Sequence, residues 1–125
     1  MAELARQPLP AGARVLNDPA DGSAWMYALT GVEPMFTHYT RGEVPAPARL
    51  LLRRLDDADT DPAVQRALQR LRVCYVYTHA ATVTARRHRA AGLRDLDGVA
   101  SLQLVARSGR ASAYRVLVPG TPCAP

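Results

Sequence analysis

Two stretches of this chain carry the same interval of apolar positions. Ala48, Leu51, Leu52 and Leu55 fall at i, i+3, i+4 and i+7, and Val64, Ala67, Leu68 and Leu71 repeat the interval. Side chains so spaced line one stripe of an α-helix, so the pattern predicts two amphipathic helices, each with one face to bury. Between them "DDADTDP" ends the first and starts the second. Asp61 stands where a carboxylate can accept an unpartnered backbone N–H, and Pro62 takes the first helical position, where its missing N–H is no loss.

Elsewhere the period shortens. Residues 73–78, "VCYVYT", place β-branched and aromatic side chains on both pleat faces, which predicts a central strand covered on both sides. Residues 13–16 form a short apolar run bounded by turn residues, as a first buried strand does. The run feeds a loop over 17–22, after which Trp25, Ala28 and Leu29 recur at helical spacing until Gly31. "VEPMFTHY" reads as a second extended segment interrupted by Pro34, and residues 40–47 as a connector rich in Pro and Gly. Residues 79–98 are polar and Arg-rich, a loop with some helix. The end is a hairpin, "SLQLVAR" and "RASAYRVLV", with Ser108 and Gly109 placed for a tight two-residue turn. The class is therefore α/β, a small layered sheet with amphipathic helices and a C-terminal antiparallel β-hairpin. No internal repeat or low-complexity tract interrupts it.

At 125 residues the chain suits one domain, with 1–12 and 119–125 peripheral to it. An apolar fraction of 48% beside 22% charged residues belongs to a folded protein, and no apolar run approaches the ~20 residues that cross a bilayer. The formal charge of +5 comes from sixteen basic residues, every one of them Arg. Total avoidance of Lys, beside abundant Ala and Leu, has the look of a GC-rich coding bias. The positive balance thus weighs less as a sign of nucleic acid than its size suggests. Residues 1–12 lack the basic start, apolar stretch and cleavage site of a signal peptide, so export would be directed from outside this chain.

The candidate chemistry sits in two loops. "NDPADG" begins with Asn17, Asp18 and Asp21, but an EF-hand spacing fails because position 3 is Pro19 and position 12 is Ala28. A phosphate loop fails too, with one Gly, no Lys and two carboxylates that repel phosphate. The structural reading is that Asp21 or Ser23 caps the following helix while Asn17 and Asp18 satisfy loop amides. The functional reading is polar recognition of a sugar or head group, because open α/β sheets bind ligands beyond the carboxyl ends of their strands. Tyr27, on another face than the core stripe of Trp25, is the freer ring for stacking on a sugar. The second loop, "TARRHRAAGLR", holds Arg86, Arg87 and Arg89 around His88, with Arg94 beyond. It is either a solvated face or a contact for phosphate or an anionic membrane surface. No aromatic residue interleaves with these Arg, which argues against nucleic acid. His38, His79 and His88 lie too far apart for a metal motif, no cofactor signature occurs, and no nucleophile elbow accompanies the Ser, His and Asp present.

The strings "ARVLNDPADGSAWMYALTGVEPMF" and "LQRLRVCYVYTH", with a hairpin ending "ASAYRV", resemble the C-terminal extracytoplasmic domain of an actinobacterial multi-pass membrane protein family of unknown function. Those proteins are similar in layout to C-type glycosyltransferases, which use lipid-linked sugars. The resemblance covers residues 13 to about 118, and "NDP.DGS.WMYA..G" is its most specific part. It implies a non-catalytic accessory or binding domain on the extracytoplasmic face, because the glycosyltransferase carboxylate lies on a loop between early membrane helices that has no counterpart here. The partners it implies are a glycan or lipid-linked sugar and the membrane-spanning part of the same polypeptide. Cys74 departs from the basic or apolar residue expected in that strand. The alternative is a small free-standing enzyme or cytoplasmic ligand-binding domain that uses the loop after the first strand.

Cys74 and Cys123 lie 49 positions apart. Two arrangements stay open: a tail folded over the sheet that bridges them in an oxidising compartment, or a buried Cys74 and a frayed tail with two thiols.

Overall fold

The computed structural model describes residues 10–18, 35, 44–79 and 90–125. The strand β1 (Arg14–Asn17) leads, followed by helix α1 (Ala46–Arg54), a 3-10 turn (Leu55–Asp57) and helix α2 (Pro62–Arg70). Then come strand β2 (Val73–His79), a 3-10 turn (Ala91–Leu93), and strands β3 (Leu102–Ser108) and β4 (Ala111–Val116). The predicted helix after Gly22 and most of the predicted segment 32–39 fall outside the described residues. From that segment Met35 is described, and its N–H donates to the Val15 carbonyl at 2.7 Å, so it lies against β1.

The four strands make one mixed sheet in the order β1-β2-β4-β3. β1 and β2 run parallel, while β4 pairs antiparallel with both β2 and β3. β2 is interior, as its two-sided apolar composition predicts, and Val73 to Thr78 are all buried. Partner positions jump from Val73 to Tyr75 as β1 advances from Arg14 to Val15, so Cys74 is an extra residue in a β-bulge. It joins the cluster of Val15, Tyr75, Tyr77 and Ala113, on which Cys123 also packs.

Both helices form on the predicted stripes. Ala48 and Leu51 of α1, Leu55 just beyond it, and Val64, Ala67 and Leu68 of α2 are buried in the main core with Leu16, Val76 and Val116. α1 starts inside the expected connector, since Pro47 sits in its first turn, where no intrahelical N–H bond is needed. Asp61 caps α2, its Oδ1 accepting the Ala63 N–H at 2.9 Å. A third layer element is the turn at Ala91–Leu93, pressed onto α1 at Gly92. A Cβ there would lie 2.5 Å from the Arg54 nitrogen and 2.6 Å from the Arg53 carbonyl carbon.

The hairpin turn lies one residue later than the sequence suggests. Ser108 pairs with Ala111, which leaves Gly109 and Arg110 as the two-residue loop. Gly109 has φ +57° and Arg110 does not share the positive region, the pattern of a type II′ turn with Gly first. The glycine thus opens the loop and Ser108 completes β3.

Residues 119–125 are tied down at several points. Gln69 Nε2 donates to the Pro119 carbonyl, Arg115 Nε to the Cys123 carbonyl and Thr121 Oγ1 to the Val118 carbonyl. Cys74 and Cys123 are disulfide-bonded, with Cα atoms 5.0 Å apart, so of the two open arrangements the structure has the bridge.

Candidate functional site

Because β1 and β2 are parallel neighbours, the connections leaving them emerge at one end of the sheet. Asn17 ends β1 opposite Tyr77, and His79 ends β2 opposite Ala111 of β4. The loop of "NDPADG" and the Arg-rich loop, some sixty positions apart in sequence, therefore start side by side. Asn17, predicted as the first loop residue, is the last residue of the strand.

At this end lie four of the five buried polar residues among the described ones. Asn17 is fully buried, Asp18 is 1% exposed, and Thr78 and Ser112, paired across β2 and β4, are buried too. A buried carboxylate is tolerated only when hydrogen-bonded. Asp18 Oδ2 accepts the Ala90 N–H at 2.7 Å. Ala90 stands before the Ala91–Leu93 turn, which has no side-chain cap of its own, so the carboxylate from the first loop holds the start of a turn at the far end of the second. Arg86, Arg87 and Arg89 immediately precede Ala90 in sequence, and Asp21 and Tyr27 follow Asp18; these five lie outside the described residues. Of the described residues, Asn17 and Asp18 are thus brought to the junction of the two loops, together with the amide of Ala90. Arg94 is exposed just past the turn.

A second polar group was not visible in the sequence. Asp97 Oδ1 accepts from the Tyr114 hydroxyl and from Arg107 Nη2, each at 2.6 Å, and Arg107 Nε donates to Ser112 Oγ at 3.0 Å. The Tyr114 hydroxyl first, then Arg107, holds the Asp97 carboxyl below the usual carboxylate range. Burial first, and then the bond to Asp97, pushes the Tyr114 hydroxyl up. Arg107 and Ser112 are facing partners in the hairpin, a relation legible once its register is known; nothing in the sequence points Asp97 at them. The group clips the 94–99 segment to the hairpin. A third clip is Asp59, which accepts the N–H groups of Ala100 and Ser101 and the Ser101 hydroxyl. The Ser101 hydroxyl is the main cause of its lowered pKa, followed by the Ala100 amide.

Among the described residues no group of three or more His, Cys, Asp or Glu is arranged to hold a metal ion. The junction holds a buried amide and carboxylate at the carboxyl ends of two parallel strands, flanked in sequence by guanidinium groups.

Over residues 1–117 the chain matches the model of a family described as "Family of unknown function (DUF6541)", and it belongs to that family. No curated protein and no solved structure matches it.

Proposed function

We infer that this chain is a non-catalytic, extracytoplasmic accessory or binding domain of an actinobacterial cell-envelope membrane protein, glycosyltransferase-like in layout, that handles a glycan or lipid-linked sugar. The observation that carries the reading is the Cys74–Cys123 bridge. Disulfides persist in oxidising compartments and are rare in the cytosol, so the bridge speaks for a place outside the cytoplasmic face. No described helix is long and apolar enough to cross a membrane; in this reading the membrane-spanning part lies elsewhere in the same polypeptide. The exclusive use of Arg for basic residues agrees with a GC-rich actinobacterial source.

The junction of the β1 and β2 connections supports the binding half. Asn17 and Asp18 lie where open α/β sheets receive ligands, and Asp21 continues the same loop. Arg86, Arg87 and Arg89 supply forks that match the phosphate of a lipid-linked sugar or an anionic membrane surface, and Tyr27 a ring for the sugar face. The experiment is an NMR titration of the chain with a short-chain polyprenyl-phosphate sugar. Saturable shifts of the Ala90 amide and the Asn17 side-chain amide are expected. A titration that leaves both unmoved contradicts the binding half of the reading.

A further inference from the structure

The outer surface of the α1–α2 layer is built from other residues than the junction. Ala46, Pro47 and Leu50 of α1 and Ala63 and Ala67 of α2 floor a groove between the helices, with Arg66 and Arg70 along its α2 side. A second hollow shares Ala46 and is bordered by Leu52, Arg49 and Arg53. All four Arg are exposed, and each pair is spaced i, i+4, one above the other on its helix. Four other described Arg are engaged: Arg54 with Asp57 and Asp61, Arg72 with the carbonyls of Ala11 and Gly12, Arg107 with Asp97, and Arg115 with the Cys123 carbonyl. Arg49, Arg53, Arg66 and Arg70 meet no carboxylate among the described residues.

We propose that this face docks an acidic amphipathic segment of a partner protein, its apolar side chains on Leu50 and Ala63 and its carboxylates on the two Arg pairs. Charge decides between occupants. A second copy of the chain, laid face to face, sets four unpaired Arg against four more. A lone phosphate wants guanidinium groups converging on one point, whereas these pairs stand on separate helices beside separate hollows. A bilayer is served by apolar side chains that project past the charges; here the apolar residues floor a groove, the complement of a ridge such as one face of a helix. Carboxylates on one side of such a segment meet Arg66 and Arg70 along the groove, and those on the other side meet Arg49 and Arg53 at the hollow that shares Ala46. Encounter is steered by charge and weakens with salt.

The test uses the chain and two synthetic helical peptides, alike in a Leu stripe, one flanked by Glu and the other by Lys. The Glu peptide binds about tenfold tighter than its Lys twin or better, loses affinity with salt, and shifts the amides of Leu50 and Ala63. Arg66→Glu with Arg70→Glu reverses the preference, and Arg49→Glu with Arg53→Glu weakens it independently. Near-UV circular dichroism checks that these surface variants keep the fold. Equal affinity for the two peptides, or wild-type affinity in both variants, overturns the proposal. So does occupation of Leu50 and Ala63 by anionic vesicles with no binding of the Glu peptide, which assigns the face to a membrane.

Discussion

The carboxylate of Asp18 and the backbone N–H of Ala90 stand 72 positions apart in the chain and 2.7 Å apart in the fold. The bond joins the exits of two parallel strands, and it makes one place out of two loops. Replacing Asp18 by Ala strips a part-buried amide of its acceptor and is expected to lower stability by about 1 to 3 kcal/mol. Asp18→Asn keeps an oxygen in place and loses less. Denaturant unfolding of both variants checks the order; equal losses would mean that the carboxylate charge, and not the oxygen, is what the junction uses.

Gly92 is where the turn before β3 touches the α1 backbone. Gly92→Ala drives a methyl group to within 2.7 Å of three backbone atoms, the Arg54 and Leu55 nitrogens and the Arg53 carbonyl carbon. Overpacking of this kind costs about 1 to 3 kcal/mol, since backbone cannot swing aside as a side-chain tip does. Gly98→Ala, with nothing within 4 Å of the new Cβ, is the matched control and stays within about 0.5 kcal/mol of wild type. Thermal melting of the pair is sufficient to compare them.

The bridge between Cys74 and Cys123 closes a loop with a sequence separation of 49 and ties the tail to the sheet face that carries Tyr75 and Tyr77. On the chain-entropy model its removal by Cys123→Ser lowers stability by about 4 kcal/mol. Thiol titration of the unfolded, unreduced protein finds no reactive thiol, and reduction exposes two.

Asp59 and Asp97 contribute to the acid limb of stability. Hydrogen bonds from Ser101 and the Ala100 amide, and from Tyr114 and Arg107, hold their folded pKa values below the unfolded value of about 3.9. Their contribution is therefore complete above about pH 4 and is lost as pH falls further, through the lower folded values. Tyr75 and Tyr114, both raised chiefly by burial, act at the other end: what they contribute is complete below about pH 10 and fades above it. Asp97→Asn is expected to flatten the acid limb and, because the bond to Asp97 also helps raise Tyr114, to bring the alkaline limb to lower pH. Unfolding midpoints from about pH 2 to about 11 give both slopes.

Elements whose causes are local were legible. The 3.6-residue stripes of α1 and α2, the Asp61–Pro62 start and the two-sided apolar β2 each state their structure within ten residues. What failed or stayed open depended on distant partners. The hairpin turn lies one position later than its sequence suggests because Gly109 suits either loop site, and only the Ser108–Ala111 register chooses. The bulge at Cys74 and the bridge to Cys123 follow from where β1 and the tail come to rest. At the candidate site, Asn17 and Asp18 are marked by side-chain chemistry. Their counterpart is the main-chain N–H of Ala90, which every residue but proline has and no sequence pattern can flag. Asp97 likewise gains its role from a tyrosine seventeen positions on, reached only through tertiary folding.

Placement outside the cytoplasmic face is the premise on which the proposed function stands, and sided labelling measures it directly. Arg110→Cys adds an exposed thiol in the β3–β4 turn while both native cysteines stay bridged. The variant is expressed in the native host within its full polypeptide, and intact cells are treated with a membrane-impermeant maleimide. The account predicts that intact cells label as fully as lysed ones. Labelling that appears only after lysis would contradict it.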